Sequence, residues 1–245
     1  MPYLSIVIPA YNEVLRLPAT LDLIQRFVEN QPYSCEVIVV DDGSKDGTSN
    51  FLLDRARSFP AMRPIINRRN QGKGQVVKQG MLAASGDYRL FMDADGSTPI
   101  SEVPKLLEQV VNYPVVIGSR YVPGSTIRIK QPLKRRLISR SGNLLTQLLL
   151  LPGIRDTQCG FKLFSAEATE RVFRAQRVGG WWFDLELLVI ARHLGFSIKE
   201  VAIEWTDAKQ SSFRATKAGV DFFLKLWEIR RNVQQGVYTV KPRKS

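Results

Sequence analysis

The triplet Asp93-Ala94-Asp95 places two carboxylates at the end of an apolar run, where chemistry is most readily expected. A buried carboxylate is costly unless it is paired or bound to a metal. Two acids at positions i and i+2 leave a strand end on the same side. There they suit a hard divalent cation, Mg²⁺ or Mn²⁺, whose remaining ligands are often substrate phosphates. The triplet predicts a metal site, although paired acids also act as simple caps of strand ends.

Further acids follow two other apolar runs. Asp42 ends the run EVIVVDD, and Glu13 follows the run SIVIPA. The Asp42 carboxylate either accepts a hydrogen bond from a nucleobase N–H or belongs to a turn, whereas Asp46 is expected to cap the next helix. Residues 70–74, with Lys73 among them, either offer backbone N–H groups and an ammonium to a phosphate or form an ordinary turn.

The elements that must position these residues alternate between strand and helix patterns. Short β-branched or apolar runs predict strands at residues 5–10, 36–42, 64–67, 88–93 and 115–118. Periodic apolar positions predict helices at residues 17–28, at 48–58 and from the glycine-rich turn to about residue 84. This order predicts one α/β domain over residues 1–240, built on a mostly parallel, doubly wound sheet. Ligands of such sheets bind beyond the carboxyl ends of the strands.

The second half of the chain is basic and then apolar. Residues 120–177 contain 12 Lys or Arg against three Asp or Glu, in a chain with a net charge of +12. Cations between residues 128 and 140 precede the apolar stretch 144–151, which suits either an interfacial helix on anionic lipid or a core helix with a solvated flank. Helices at 181–194 and 219–233, a strand at 198–205 and a basic tail at 241–245 are also predicted.

Composition narrows the class of protein. The 245 residues are 44% hydrophobic and 24% charged, as expected for an ordered soluble domain. Cys35 and Cys159 show neither metal-ligand spacing nor a disulfide framework. No apolar run reaches the roughly 18–20 residues of a membrane-spanning helix, and no signal peptide is recognisable. A basic surface also suits nucleic acid, but the acids at the strand ends would repel its phosphates, so we expect no nucleic-acid partner.

Seven motifs together resemble one enzyme family. SIVIPAYNE, VVDDGSKDGT, NQGKG and MDADGST occur in the order and spacing of the inverting family 2 glycosyltransferases. GSRY, IRDTQCGFKLF and WWFDLELL are similar to the dolichyl-phosphate β-glucosyltransferases and their bacterial polyprenyl-phosphate relatives. The resemblance implies the GT-A nucleotide-sugar-binding fold, with a donor half at residues 1–120 and an acceptor- and membrane-facing half at residues 121–240. It implies Mg²⁺ or Mn²⁺ as cofactor and a cytoplasmic enzyme held peripherally at the cytosolic face of an anionic membrane.

The resemblance also implies roles for individual residues. The nucleotide-sugar would be held by Pro9, Tyr11, Glu13, Asp42, Lys73, Asp93, Ala94, Asp95 and Ser97. Asp95 would be the main metal ligand with Asp93 beside it, and Ser97 stands where lipid-phosphate mannose transferases have Gln.

Two arginines, Arg120 and Arg214, would face the donor diphosphate or the acceptor phosphate. The chain reads Gln210-Ser211-Ser212 where the family commonly has Gly-Ser-Lys. Arg214 or Lys217 is therefore expected to supply the missing cation.

The acceptor decides how much acid–base chemistry is needed. A phosphate monoester has a second pKa near ~6, so its oxygen is already a nucleophile at neutral pH and no base is required. The expected reaction moves glucose from UDP-glucose to a polyprenyl phosphate with inversion. Two alternatives stay open: mannose from GDP-mannose, or a glycan hydroxyl acceptor with Asp184 as its base. Asp156 is expected to order its loop, and His193 to be structural.

Overall fold

The computed structural model describes residues 1–128, 142–206 and 215–239, with the backbone alone at 215–220. A seven-stranded sheet in the order β3-β2-β1-β4-β7-β5-β8 forms its centre, and β6 and β9 form a separate pair. The strands are β1 (Leu4–Ala10), β2 (Cys35–Asp41), β3 (Met62–Ile66), β4 (Tyr88–Met92), β5 (Val115–Ser119), β6 (Thr126–Ile127), β7 (Phe161–Ser165), β8 (Ile198–Ala202) and β9 (Glu204–Trp205). All pairings in the large sheet are parallel except those of β7.

Helices connect these strands and cover the sheet. They are α1 (Leu17–Glu29), α2 (Thr48–Ser58), α3 (Lys73–Ala83), α4 (Val103–Val110), α5 (residues 142–149), α6 (Ala166–Ala175), α7 (Phe183–His193) and α8 (Ala215–Gln234), with a 3₁₀ turn at Ile100–Glu102 before α4. None of the helices within the described ranges is long and apolar enough to cross a membrane.

Alternating residues of the central strands enter two separate cores. On β1, Ile6 and Ile8 pack in a cluster with α1, α2 and α4, whereas Val7 packs in a cluster with α3, α6, α7 and α8. A strand with helices over both faces reads as a continuous apolar run rather than as an alternating one. The fold is therefore the doubly wound α/β sheet that the sequence predicts, and the strands at residues 5–10, 36–42, 88–93 and 115–118 are confirmed to within one residue at each end.

Strand β7 is absent from the sequence prediction. It lies antiparallel between β4 and β5, with Lys162 opposite both Phe91 and Ile117. The run FKLFS carries a lysine at a position that the sheet buries, so its apolar pattern is interrupted where a central strand should be continuous. Helix α6 was missed with it. Its N-terminus is capped by Ser165, whose side chain accepts from the Ala168 N–H.

The predicted strand at residues 198–205 is divided in two. Residues of β8 pair with β5, whereas β9 leaves the large sheet and pairs with β6. The apolar stretch 144–151 forms α5 over most of its length and has a mixed character. Leu151 is fully buried, but Leu144 and Leu148 are exposed. The stretch therefore lies partly in the core and partly at the surface, and its contact with lipid stays a prediction. Residues 130–140, with most of the predicted basic flank, lie outside the described residues.

Candidate active site

The carboxyl ends of β1, β2 and β4 meet at one edge of the sheet, as parallel pairing requires. Ala10 lies opposite Asp41 in the ladder, and the Asp42 N–H donates to the Ala10 carbonyl at 2.8 Å. This edge collects the predicted donor-site acids Glu13, Asp42, Asp93 and Asp95. It is the edge at which ligands of doubly wound sheets bind.

Asp42 organises the glycine-rich turn. Its two carboxylate oxygens accept from the backbone N–H groups of Gln71 at 2.7 Å and Gly72 at 3.0 Å. Burial raises the pKa of the Asp42 carboxyl, and these two hydrogen bonds oppose the rise. Gly72 has a φ of +91°, and a Cβ there would lie 2.7 Å from the Gly179 carbonyl oxygen. Asp42 thus has a structural role in the turn; a contact with the nucleobase stays a prediction.

Glu13 is held by Arg16 at the start of α1. The Arg16 Nε donates to Glu13 Oε2 at 2.7 Å, and a second guanidinium nitrogen binds Oε1. Burial raises the pKa of the Glu13 carboxyl, Arg16 opposes the rise, and the charges of Asp95 and Asp93 add to it. The last effect places Glu13 within electrostatic reach of the predicted metal ligands. Of the other predicted donor contacts, Pro9 is half-buried and Tyr11 is exposed.

Asp93 lies between a lysine and a glycine. Its Oδ1 is 2.6 Å from the Lys73 ammonium, and its backbone N–H donates to the Gly160 carbonyl at 3.1 Å. A Cβ on Gly160 would lie 2.1 Å from Asp93 Oδ2, so only glycine leaves room for the carboxylate. Apart from the Lys73 ammonium, Oδ1 has no hydrogen-bond partner in the described part of the chain. A buried carboxylate oxygen whose one partner is a cation is also suited to a divalent metal ion.

Asp95 sits in the turn after β4. Its Oδ1 accepts from the Ser97 N–H at 3.0 Å, and the intervening Ala94 carbonyl accepts from the Thr20 hydroxyl at 2.9 Å. Ser97 itself is buried. Within residues 1–128, 142–206 and 215–239, no three His, Cys, Asp or Glu side chains form a group able to hold a metal. Asp93 and Asp95 nevertheless fit Mg²⁺ or Mn²⁺, which commonly take one or two carboxylates and complete their shell with water and substrate phosphates.

Lys73 begins α3 and points into this group of acids. Its ammonium lies 5.3 Å from the centroid of the Trp181 ring as well as beside Asp93. Burial lowers the pKa of Lys73, but the carboxylates of Asp93, Asp184 and Asp95 outweigh burial and raise it. The direction of this shift favours the charged form of Lys73, and its contact with a phosphate stays a prediction.

Asp184 is buried at the start of α7 and is paired with a lysine that the sequence analysis did not single out. The Lys162 ammonium donates to Asp184 Oδ1 and to the Cys159 carbonyl. Burial raises the pKa of the Asp184 carboxyl, and Lys162 and Lys73 both oppose the rise. The lone lysine within the apolar run FKLFS was the signal in the sequence. Its meaning depends on β7 being a central strand.

Arg120 is occupied by Asp156. Its Nε and one terminal nitrogen bind the two Asp156 oxygens at 2.7 and 2.8 Å, and its backbone N–H donates to the same carboxylate at 3.0 Å. The guanidinium also lies 5.2 Å from the Trp205 ring centroid and 5.3 Å from that of Tyr121. The expectation that Asp156 orders its loop is met. The phosphate contact predicted for Arg120 stays a prediction, since this guanidinium is already paired with a buried carboxylate.

The other predicted cation, Arg214, lies outside the described residues, as does Ser212, and the side chain of Lys217 is not described. The N-cap residue of α2 is Gly47 and not Asp46, but Asp46 accepts from the first N–H of the helix, that of Thr48, at 3.0 Å. Cys35 and Cys159 are free thiols.

Comparison with known proteins identifies the family of this chain. The family model described as glycosyl transferase family 2 matches residues 5–173, which is more than half of the chain. The chain belongs to glycosyl transferase family 2. The match includes the strand ends with Glu13, Asp42, Asp93 and Asp95, and it extends through β7 to α6. The protein is therefore a glycosyltransferase, and the edge described above is its candidate donor site.

Several family 2 enzymes are similar to this chain over most of its length. Dolichyl-phosphate beta-glucosyltransferase of Dictyostelium discoideum is 33% identical over 252 residues, which cover 98% of this chain and 77% of the relative. The human enzyme of the same name is 37% identical over a region that covers 85% of this chain and 68% of the human enzyme. A similar solved structure is that of glucosyl-3-phosphoglycerate synthase of Mycobacterium tuberculosis in complex with Mn²⁺, UDP and phosphoglyceric acid. The two structures match with a TM-score of 0.65 at 20% sequence identity, over 99% of this chain and 80% of the synthase. At that identity the match shows a shared GT-A-like fold.

Proposed function

We propose that this family 2 glycosyltransferase moves glucose from UDP-glucose to the phosphate of a polyprenyl lipid of the dolichyl type. The observation that carries the proposal is the donor site: Asp93, Asp95 and Lys73 lie together beyond the strand ends. They do so in a chain whose relatives, matched over most of its length, are named dolichyl-phosphate beta-glucosyltransferases. UDP is the nucleotide in the similar synthase structure.

The proposed cofactor is Mg²⁺ or Mn²⁺ on Asp95 and Asp93. A divalent cation supplies charge stabilisation to a departing diphosphate. Both carboxylates lie at the same strand end, and Asp93 Oδ1 has a lysine beside it that can serve the same diphosphate. Glu13, one turn before α1, adds negative charge near the pair without belonging to it, because Arg16 binds both of its oxygens.

The proposed acceptor needs no catalytic base. A phosphate monoester is largely dianionic at neutral pH, so its oxygen can attack the sugar directly and invert the anomeric centre. The carboxylate best placed to act as a base for a hydroxyl acceptor, Asp184, is paired with Lys162 in a fully buried contact. Lys162 occupies Oδ1 and would remain beside the carboxylate as it took a proton, so the ion pair opposes its use as a base. The geometry therefore favours an acceptor that arrives already ionised.

A lipid acceptor requires a surface that meets the membrane, and α5 and α8 offer one. Leu144 and Leu148 on α5 are exposed, as are Phe223, Leu224 and Trp227 on α8. The two helices adjoin, because a Cβ on Gly142 would lie 3.8 Å from the Phe222 ring. Exposed leucine and aromatic side chains next to cations, here Arg230 and Arg231, are typical of helices that lie in a membrane interface. We assign this surface, the α5–α8 surface, to peripheral contact with anionic lipid at the cytosolic face.

Membrane contact is tested by flotation with liposomes that contain anionic or only neutral lipid. The double variant Leu148→Glu/Trp227→Glu should float less than the unchanged protein, because each glutamate would enter the apolar layer. Val111→Glu is the matched control, since Val111 is 72% exposed and Leu148 73%, but Val111 lies beside α4 on the other side of the sheet. Equal flotation of all three proteins would refute the assignment of the surface.

The function itself is tested by transfer of radiolabelled sugar from a panel of nucleotide-sugars to polyprenyl phosphate, with Mg²⁺, Mn²⁺ or EDTA. Metal-dependent label in the lipid phase from UDP-glucose is the expected result. Label from GDP-mannose instead would change the sugar and leave the reaction class intact. Asp95→Asn should abolish transfer and weaken metal-dependent binding of UDP. Normal turnover by this variant would contradict the proposed site.

A further inference from the structure

Lys162 is a fully buried lysine that no step of the proposed transfer uses. It lies near the middle of β7, and its ammonium binds the Asp184 carboxylate and the Cys159 carbonyl and lies 5.3 Å from the Phe91 ring centroid. Lysine is almost never fully buried unless it is paired, and a buried pair is itself weak evidence for stability. A lysine in the centre of the sheet therefore calls for an explanation beyond stability.

The Lys162 side chain is on the same face of the sheet as the donor site. Its ammonium binds Asp184 on α7 and lies over the Phe91 ring, which packs in the same cluster as α7. The Asp93 carboxylate meets the ammonium of Lys73 at the start of α3, and α3 packs in that cluster as well. Helix α7 covers this face and carries Asp184.

The start of α3 is close to the start of α7. A Cβ on Gly74 would lie 2.6 Å from the Phe183 Cβ, so these two first turns can touch only because residue 74 is glycine. Their sequence neighbours are Lys73 and Asp184, which this contact brings into the same part of the site. Two ion pairs, Asp93 with Lys73 and Asp184 with Lys162, thus stand side by side.

We propose that Lys162 and Asp184 are a positioning pair for the donor site, in which Lys162 fixes the Asp184 carboxylate and this fixed charge holds the Lys73 ammonium at the donor diphosphate. The inference rests on the proposed function, because the diphosphate is that of the nucleotide-sugar. Without Asp184, Lys73 would bind Asp93 more closely and compete there with the divalent cation. Without Lys162, the unpaired Asp184 would draw Lys73 away from the donor.

Both changes should therefore weaken donor binding in the same direction. Lys162→Met and Asp184→Asn remove one charge each at nearly constant volume, and the double variant removes both. We expect each single variant to raise the donor KM, and the Kd for UDP-glucose with Mn²⁺, by about tenfold to hundredfold, as is usual for supporting residues of metal sites. The KM for polyprenyl phosphate should not change. Lys162→Arg should recover part of the loss.

The double variant separates positioning from stability. It contains no unpaired buried charge, so its melting temperature should return toward that of the unchanged protein, and it carries the test if a single variant does not fold. Donor affinity should nevertheless remain low. The matched control is Arg89→Met/Glu170→Gln, which removes an ion pair of 3.1 Å between β4 and α6, away from the donor edge. The control should keep the donor KM unchanged.

Two results would overturn the proposal. Normal donor affinity in the Lys162→Met/Asp184→Asn protein would show that the pair serves stability alone. Loss of turnover in Asp184→Asn at unchanged donor affinity would make Asp184 a base and not a positioning residue. Calorimetric binding of UDP-glucose needs no acceptor, so it tests the ion pair independently of transfer. If the unchanged protein failed to label polyprenyl phosphate, that result would count against the proposed function and not against the pair.

Discussion

Gly160→Ala should impair the proposed transfer while leaving the fold largely intact. The new Cβ would lie 2.1 Å from Asp93 Oδ2 and 2.4 Å from its Cγ, whereas real Cβ atoms essentially never approach within 3.0 Å. Something must therefore move by about 1 Å, and the Asp93 side chain, which is 31% exposed, is freer to move than the β7 backbone. Gly160 is not among the glycines with positive φ, so alanine introduces no backbone strain there.

The size of the effect follows from this displacement. A misplacement of 1 Å in a catalytic site can lower a rate about 100-fold, which corresponds to about 2.7 kcal/mol in the activation free energy. The loss should appear in kcat/KM for the nucleotide-sugar and in a higher Mn²⁺ concentration for half-maximal transfer, because the Asp93 carboxylate is the group displaced.

The assay is label transfer at saturating acceptor over a series of Mn²⁺ concentrations, with thermal unfolding measured in parallel. Gly180→Ala is the control, because a Cβ at Gly180 meets nothing within 4 Å and its φ is not positive. Normal kcat/KM and an unchanged Mn²⁺ requirement in Gly160→Ala would refute the reasoning that Asp93 has one tightly defined position. A large fall in melting temperature would instead show that the sheet, not the carboxylate, had moved.

Two further predictions concern stability. Asp156→Asn should lower the free energy of unfolding by about 3–5 kcal/mol, because it leaves the buried Arg120 charge uncompensated. Burial alone would raise the pKa of Asp156, but Arg120 outweighs burial and the pKa lies below its usual value. The pair therefore stabilises the fold above about pH 4, and this stabilisation is lost as the pH falls through the depressed pKa. Urea unfolding between pH 7 and pH 3 should show that the free energy of unfolding depends less on pH in Asp156→Asn than in the unchanged protein. Tyr238→Phe should lower the free energy of unfolding by about 1 kcal/mol in the same assay, because it removes the 2.8 Å hydrogen bond to the buried Glu186. The loss is small because Glu186 still accepts from the backbone N–H groups of residues 177 and 178.

The parts of the fold that the sequence predicts are those whose pattern is local. The runs SIVIPA and EVIVVDD are apolar because their strands are covered on both faces, and a continuous apolar run is visible without any knowledge of neighbours. The acids at strand ends were predictable for the same reason, since Asp42 directly follows β2 and Asp93 directly follows β4.

The parts that the sequence did not predict depend on pairing over a distance. Strand β7 contains Lys162, which looks unsuited to a sheet centre until Asp184 is placed 22 residues away as its partner. Arg120 resembles a phosphate ligand by motif, and only the folded loop shows Asp156 against it. In both cases the compensating carboxylate is distant in the sequence, so no local pattern reveals the ion pair.

The acids at the strand ends differ in the groups that already bind them. Glu13 is bound by Arg16, and both oxygens of Asp42 are bound by backbone N–H groups of the glycine-rich turn. Asp93 has the Lys73 ammonium, which a diphosphate can take over, and Asp95 accepts a neutral N–H from the next turn. Anionic groups would repel a nucleotide-sugar if all four faced it uncompensated, so a divalent cation is best placed at Asp93 and Asp95, whose partners a ligand can replace or share. Removal of Asp42 should then act through the turn that carries Lys73, whereas removal of Asp95 should act on the cation itself.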